Sequence, residues 1–168
     1  MTTIYLTRHG ETEENASRIL QGHLPGKLSP LGIQQIQALR DKLKDTAFDA
    51  ILCSDLKRCI DSANILAEGR DLTPTPLPML RERNWGSFTG CRIDDVQHTP
   101  IPEDVETVDE MLKRAAQFLD FVRKNYEGKT VLVMSHGLFA RAIQSVFHQK
   151  SMKEIERMQN AECRILVL

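Results

Sequence analysis

The chain is 168 residues long, which suits one domain built around a single core. Hydrophobic residues make up 41% and charged residues 27%, a balance that excludes both a disordered and a membrane-embedded chain. A formal net charge of -1 gives no sign of a nucleic-acid or anionic-membrane surface, so any positive field must be local.

No apolar run approaches a bilayer span, and the amino terminus lacks the basic-then-apolar order of a signal peptide; the cytoplasm is the expected location. Cys53, Cys59, Cys91 and Cys163 are scattered without a metal-ligand spacing and read as reduced, mostly buried thiols.

The first element is the apolar run Ile4, Tyr5, Leu6, a buried strand that delivers Arg8, His9 and Gly10 to the loop behind it. Glu11 to Lys27 is polar and ends in Gly22, Pro25 and Gly26, which predicts a long ordered loop. Ser29 and Pro30 then start a helix with an apolar stripe of Ile33, Ile36, Leu39 and Leu43, ending near Asp45. Asp49 to Cys53 predicts a second strand, and Ser54 the cap of a helix with Leu56, Cys59, Ile60, Ala63, Leu66 and Ala67 inward. Arg58 falls in its first turn. The prolines of Thr73 to Leu80 predict a short or edge strand leading to Arg81, Glu82 and Arg83.

Prolines at 100 and 102 mark a second irregular stretch. A long helix follows, with Val105, Val108, Leu112, Ala115, Leu119 and Val122 on one face and Gly128 at its end. Thr130 to Met134 is the most strand-like run, and it hands Ser135, His136 and Gly137 directly to a helix with Leu138, Ala142 and Val146 inward. His136 thus repeats the placement of His9. Cys163 to Leu168 alternates as a last strand. This order predicts a three-layer α/β/α sandwich with a mostly parallel central sheet, in one domain over residues 1–168.

In such sheets ligands bind at the carboxyl ends of the strands, where Arg8, His9, Arg58, Glu82 and His136 would converge. Two arginines and two histidines around a small pocket make a receptor for a compact anion, and a phosphoryl group is the natural guess. Helix amino termini after Ser54 and His136 would add backbone donors. A metal site is the weaker reading, because guanidinium groups repel cations and one carboxylate is too few.

Several motifs in order resemble the histidine phosphatase superfamily, the phosphoglycerate mutase-like enzymes, over essentially the whole chain. They are Arg8 to Thr12 with Asn15, Gln21 and Gly22; Leu28 to Gly32; Ser54 to Arg58; Leu80 to Arg83 with Gly86 and Gly90; and Ser135, His136, Gly137. The resemblance implies His9 as nucleophile, Arg8, Arg58 and His136 as phosphate holders, and Glu82 as proton donor. It further implies Asn15, Gln21, Gly22 and Gly137 as substrate contacts, with no metal and no cofactor. Such a site would hydrolyse small phosphomonoesters, with a tilt towards sugar phosphates, through a phosphohistidine.

Three alternatives stand beside this one: a mutase, a protein phosphohistidine phosphatase, and a non-catalytic phospholigand-binding protein. Compared with mutases of the family, the chain carries only a short cap, within about residues 84–110, and stops at its last strand where many relatives continue with a tail. Arg92 is the candidate to hold a second acidic group. The expected partner is a small phosphomonoester, with no nucleic acid and no membrane; a homodimer is left open beside a monomer. His23 reads as a solvated loop histidine, His98 and His148 as surface residues, Lys113 and Arg114 as a solvated face, and Trp85 and Phe88 as packing or pocket wall.

Overall fold

In the computed structural model, which describes residues 1–168, five strands form one sheet in the order β3-β2-β4-β1-β5. The strands are β1 (Thr3–Arg8), β2 (Ala50–Cys53), β3 (Thr75–Pro76), β4 (Thr130–Ser135) and β5 (Cys163–Val167). Four run parallel, and β5 pairs antiparallel with β1 at one edge. Between them lie α1 (Glu13–Ala16), α2 (Pro30–Lys42), α3 (Lys57–Ala67), α4 (Ile93–Val96), α5 (Val108–Asn125) and α6 (Gly137–His148). The three-layer α/β/α reading is what the chain adopts.

β4 is a continuous apolar run because both its faces are covered. Val131 and Val133 join Ile4, Leu6, Phe118, Phe139 and Ile143 under α5 and α6. Leu132 and Met134 face the other way, with Ile36, Ile51, Cys59 and Leu66 under α2 and α3. No helix is long and apolar enough to cross a membrane.

Several local expectations change. The stretch 11–27 contains one helical turn, α1, because Thr12 and Asn15 close a reciprocal capping box. α2 ends at Lys42, and Ile33 is exposed, since the inward stripe of Gly32, Ile36 and Leu39 lies roughly a quarter-turn away from it. Ser54 does not cap α3; Leu56 takes the cap position, and the Ser54 hydroxyl is turned inward. Ile60 and Ala67 are only half-buried, as are Leu138 and Val146 in α6. On α5 the first turn stands clear of the packed layer, so Val108 is exposed and Met111 takes the buried place.

The loop after β1 lies against the start of α2 with no room for side chains. A Cβ on Gly10 would meet the Gly32 carbonyl oxygen at 2.4 Å, and one on Gly32 would meet the Glu11 carbonyl oxygen at 2.0 Å. Both obstacles are backbone, so the site loop must move to admit a methyl group. Gly32→Ala should therefore cost about 1–3 kcal/mol and lower Tm by roughly 2–10 °C, measured by thermal unfolding.

Candidate active site

β1 and β4 are hydrogen-bonded neighbours, and their register pairs Arg8 with Ser135. The next residue on each strand is a histidine, so His9 and His136 leave the same sheet edge side by side. Their ring centroids lie 5.3 Å apart. A cavity of about 430 Å³ opens at this edge, lined by Arg8, His9, Arg58, Glu82 and Gly137 among others. Asn15, Gln21 and Gly22 also lie on its wall.

His9 is 3% exposed, and its Nδ1 lies 2.7 Å from the Gly10 carbonyl oxygen. A carbonyl only accepts, so Nδ1 carries the proton and Nε2 keeps its lone pair. Burial first, then Arg58 and Arg8, hold this imidazole well below the ordinary histidine value of 6.5, against a smaller pull from the Gly10 bond. His9 is therefore neutral near neutral pH, a buried base flanked by cations.

The two guanidinium groups are anchored without being used up. Arg8 donates from Nη1 to the Met158 carbonyl at 2.8 Å. Arg58 donates from Nη2 to the Gly22 carbonyl at 2.9 Å and from Nη1 to the Leu24 carbonyl. In both, Nε is buried with no partner in the chain. A buried donor without an acceptor is costly, and an incoming anion is what would satisfy it. Gly137 fits this arrangement closely: a Cβ there would lie 3.0 Å from the Arg8 Nε.

His136 is placed differently from the expectation. It is completely buried behind His9 and is not on the cavity wall. Its Nε2 is 2.8 Å from the Ser54 hydroxyl, and Cys59 Sγ lies 3.4 Å from the same nitrogen. Burial, Arg58 and His9 hold its imidazole well below 6.5 as well. Burial pushes the Cys59 thiol up, which keeps it protonated and able to donate to the Ser135 carbonyl at 3.4 Å.

Glu82 faces the cavity with its carboxylate at the start of α6. Oε1 accepts from Arg83 N at 2.8 Å and Phe139 N at 3.0 Å, and Oε2 accepts from Leu138 N at 3.2 Å. The backbone donors expected after His136 are thus present but hold Glu82. Those of α3 are partly spent too, since Arg58 N donates to the Pro25 carbonyl. Asn15 serves the α1 cap through Oδ1, which accepts from Thr12 N at 3.2 Å. Gln21 accepts from the Thr12 hydroxyl at 3.1 Å, and Gly22 lends its carbonyl to Arg58.

Two residues given a bland reading are corrected. Arg114 is no solvated cation: it forms a fork with Glu106 at 2.9 and 3.1 Å, donates to the Met79 and Arg81 carbonyls, and lies over the Phe139 ring. Glu106 in turn accepts from Asn84 N, and its carbonyl accepts from Arg83 Nε. The pair staples the Glu82 loop to α5. His23 is half-buried, with Nε2 3.0 Å from the Glu82 carbonyl. It lines a second cleft of about 480 Å³ with Arg81, Glu103, Glu106 and Arg114, which holds none of the expected site residues. Arg92 is exposed at the start of α4 beside Asp94, off the cavity wall. Trp85 lines the cavity beneath Arg83, and Phe88 is buried packing.

Arg83, Arg141, Arg157 and Met158 line the cavity unanticipated, and Asn160 donates to the His9 carbonyl at 3.2 Å. For Arg157, Met158 and Asn160 the signal was present: an antiparallel last strand beside β1 must begin at the end where β1 stops, so the residues just before it reach the site. No group of three or more histidine, cysteine, aspartate or glutamate side chains gathers to hold a metal ion.

Comparison with known proteins fits this geometry. The family model of the histidine phosphatase superfamily (branch 1) matches residues 4–168, and the chain belongs to that superfamily. The adenosylcobalamin/alpha-ribazole phosphatase of Salmonella typhimurium is 29% identical over 147 residues, 79% of this chain and 73% of that one. A probable phosphoglycerate mutase of Yersinia pestis, GpmB, is 31% identical over 153 residues, 82% of this chain and 71% of its own. Among solved structures, Bacillus stearothermophilus YhfR superposes with a TM-score of 0.92 at 27% identity, covering 98% of this chain and 90% of that one.

Two stability measurements test the site. Unfolded histidines titrate near 6.5, above the folded values of His9 and His136, so below about pH 6.5 the unfolded chain binds more protons. Stability is full above that pH and falls as pH drops from about 6.5 towards the folded values, by up to about 1.4 kcal/mol per pH unit for each histidine. Denaturant midpoints at pH 7.5 and 5.5 should show the loss, and His136→Asn should remove about half of the slope. Arg114→Met, which strands Glu106 in a largely covered position, should lower unfolding free energy by roughly 2–4 kcal/mol in the same assay.

Proposed function

We propose that this chain is a metal-independent phosphomonoester hydrolase that works through a phosphohistidine on His9. The observation that carries the reading is the His9 tautomer, with Nδ1 tied to the Gly10 carbonyl and Nε2 free between two arginines whose buried Nε atoms lack acceptors. Arg8 and Arg58 would hold a phosphoryl dianion and offset the charge that repels a nucleophile. Asn15 makes no bond through its amide NH₂ within the chain and would give that donor to the same group.

In the first step the Nε2 lone pair forms a bond to phosphorus and the P–O ester bond breaks, its electrons leaving with the alkoxide. Protonated Glu82 gives its proton to that oxygen, and the alcohol departs. In the second step a water gives its proton to the Glu82 carboxylate and its oxygen to phosphorus, and the N–P bond breaks to restore neutral His9. The proton count closes over the cycle. His136, being buried behind His9, would act by fixing the position of the neighbouring ring and by its dipole. Its direct contact with phosphate would need a shift towards the cavity.

Small phosphorylated metabolites suit the cavity volume, with sugar phosphates as the first class to try. The short segment within about residues 84–110, which sets Trp85 and Ile93 on the cavity wall, is read as the cap. The likeness to a probable mutase keeps one second reading, transfer of the phosphoryl group to another hydroxyl in place of water.

Phosphate release from an aryl phosphate and a panel of sugar phosphates, with chelator present, tests the proposal. Release should persist with chelator and fall at least about a thousandfold in His9→Ala. Enzyme quenched in alkaline detergent should carry a base-stable, acid-labile phosphoryl label that the same variant lacks. Release that needs a metal, or that His9→Ala leaves intact, would overturn the reading. Label on His9 without release of phosphate would favour the mutase.

A further inference from the structure

The phosphoryl site engages two of the arginines on the cavity wall, and the wall holds five. Of the thirteen arginines in the chain, seven pair with a carboxylate. Of the other six, Arg70 lies over the Phe48 ring and donates to the Leu43 and Thr46 carbonyls. The remaining five, Arg8, Arg58, Arg83, Arg141 and Arg157, all line the cavity that contains His9. Glu82 is the one carboxylate on that wall, and both its oxygens are already held by backbone N–H groups.

Arginine keeps its charge at any working pH, so the wall carries five positive charges against one negative. Like charges gathered in a partly desolvated cleft repel strongly. A bound phosphoryl dianion offsets two of these positive charges; with Glu82 carrying the proton that the first step needs, three remain, and they call for a further anion.

Arg83 is held by stacking as well as by a hydrogen bond, with Nε on the Glu106 carbonyl at 2.7 Å and its guanidinium over Trp85. Arg141 and Arg157 share one wall, formed by α6 and the segment before β5. Arg141 Nε donates to the Ile155 carbonyl at 2.6 Å, which leaves its other N–H groups free. Arg157 follows two residues later, and its side chain makes no bond within the chain. The next residue, Met158, supplies the carbonyl that anchors Arg8. The two cations thus sit near Arg8 on the wall of the same cavity.

We propose that Arg141 and Arg157 form a second anion subsite, so that the substrate is a phosphomonoester whose alcohol portion carries a carboxylate or a second phosphate. The proposal rests on reading Arg8, His9 and Arg58 as the phosphoryl site. Ile19, Leu20, Trp85 and Ile93, on the same cavity wall, offer apolar surface for the carbon skeleton between the two anions.

The test uses three probes of one chain length: an ω-carboxyalkyl phosphate, its primary amide, and the α,ω-bisphosphate. Their kcat/KM is measured for wild type, Arg157→Gln and Arg157→Lys, and their affinity for His9→Ala protein, with and without Arg157→Gln, by calorimetry. A charge-assisted contact predicts a preference of roughly tenfold or more for an anionic probe over the amide in both measurements. Arg157→Gln should collapse that ratio towards one and Arg157→Lys should keep part of it. The larger of the two ratios identifies the terminal group as carboxylate or phosphate.

Equal turnover and equal affinity for all three probes, or a preference that Arg157→Gln leaves unchanged, would overturn the subsite. Amide turnover with a ratio of one would sink the subsite alone. An intact affinity ratio with no turnover of any probe would support the subsite and sink the hydrolase reading instead. Arg157 is exposed, so its replacement does not disturb the core.

Discussion

The parallel pairing of β1 with β4 is the constraint from which the site follows. Their register aligns Arg8 with Ser135, and each strand then yields a histidine to the same edge. Strand spacing sets the distance between the two rings, so the pair needs no loop of special shape to bring it together. The two apolar layers that cover both faces of β4 fix this register, since a one-residue slip would turn Val131 and Val133 to the wrong layer. Packing and site geometry are one problem here.

Around that pair the protein holds a neutral base inside a ring of cations. The cost is visible in the structure: two buried guanidinium nitrogens without acceptors, and two imidazoles whose neutral forms burial enforces. A site designed for stability alone would satisfy those groups. One that is to receive an anion leaves them open, and the binding of the anion then completes the hydrogen-bond count. The surplus of unpaired arginines on the same wall extends this logic beyond the phosphoryl group.

The supporting contacts come from residues far away in sequence. Arg114 and Glu106 on and before α5 hold the Glu82 loop, Ser54 and Cys59 hold His136, and Asn160 holds the His9 carbonyl. Each support uses a backbone carbonyl or a short buried side chain, which gives a fixed geometry at little entropic cost. Glu82 is oriented twice, from behind by the staple and from the front by the first N–H groups of α6.

By itself the sequence determined most of the elements and which residues several of them carry to the carboxyl edge of the sheet. Runs such as Thr130 to Met134 are too apolar for anything but a doubly covered strand, Ser29 and Pro30 start a helix by local chemistry, and strand ends in an open α/β sheet face one crevice. Arg8, His9, Arg58 and Glu82 were legible on that basis. Asn15, Gln21, Gly22 and Gly137 were named only through the resemblance to the superfamily. What tertiary structure decided was which way each group turns and what holds it. Ser54 looked like a cap because its neighbours do not reveal that His136 stands across from it. His136 looked like a wall residue because burial is a property of the packed layers and not of the strand that carries it. Arg114 looked solvated for the same reason, since the carbonyls it binds lie more than thirty positions away. Arg157 escaped notice because only the antiparallel turn into β5 folds its segment back over β1, and Arg141, on α6, because nothing local shows that the same segment packs against it. Local sequence encodes conformation within a few residues; partners across the fold exist only once the chain has closed on itself.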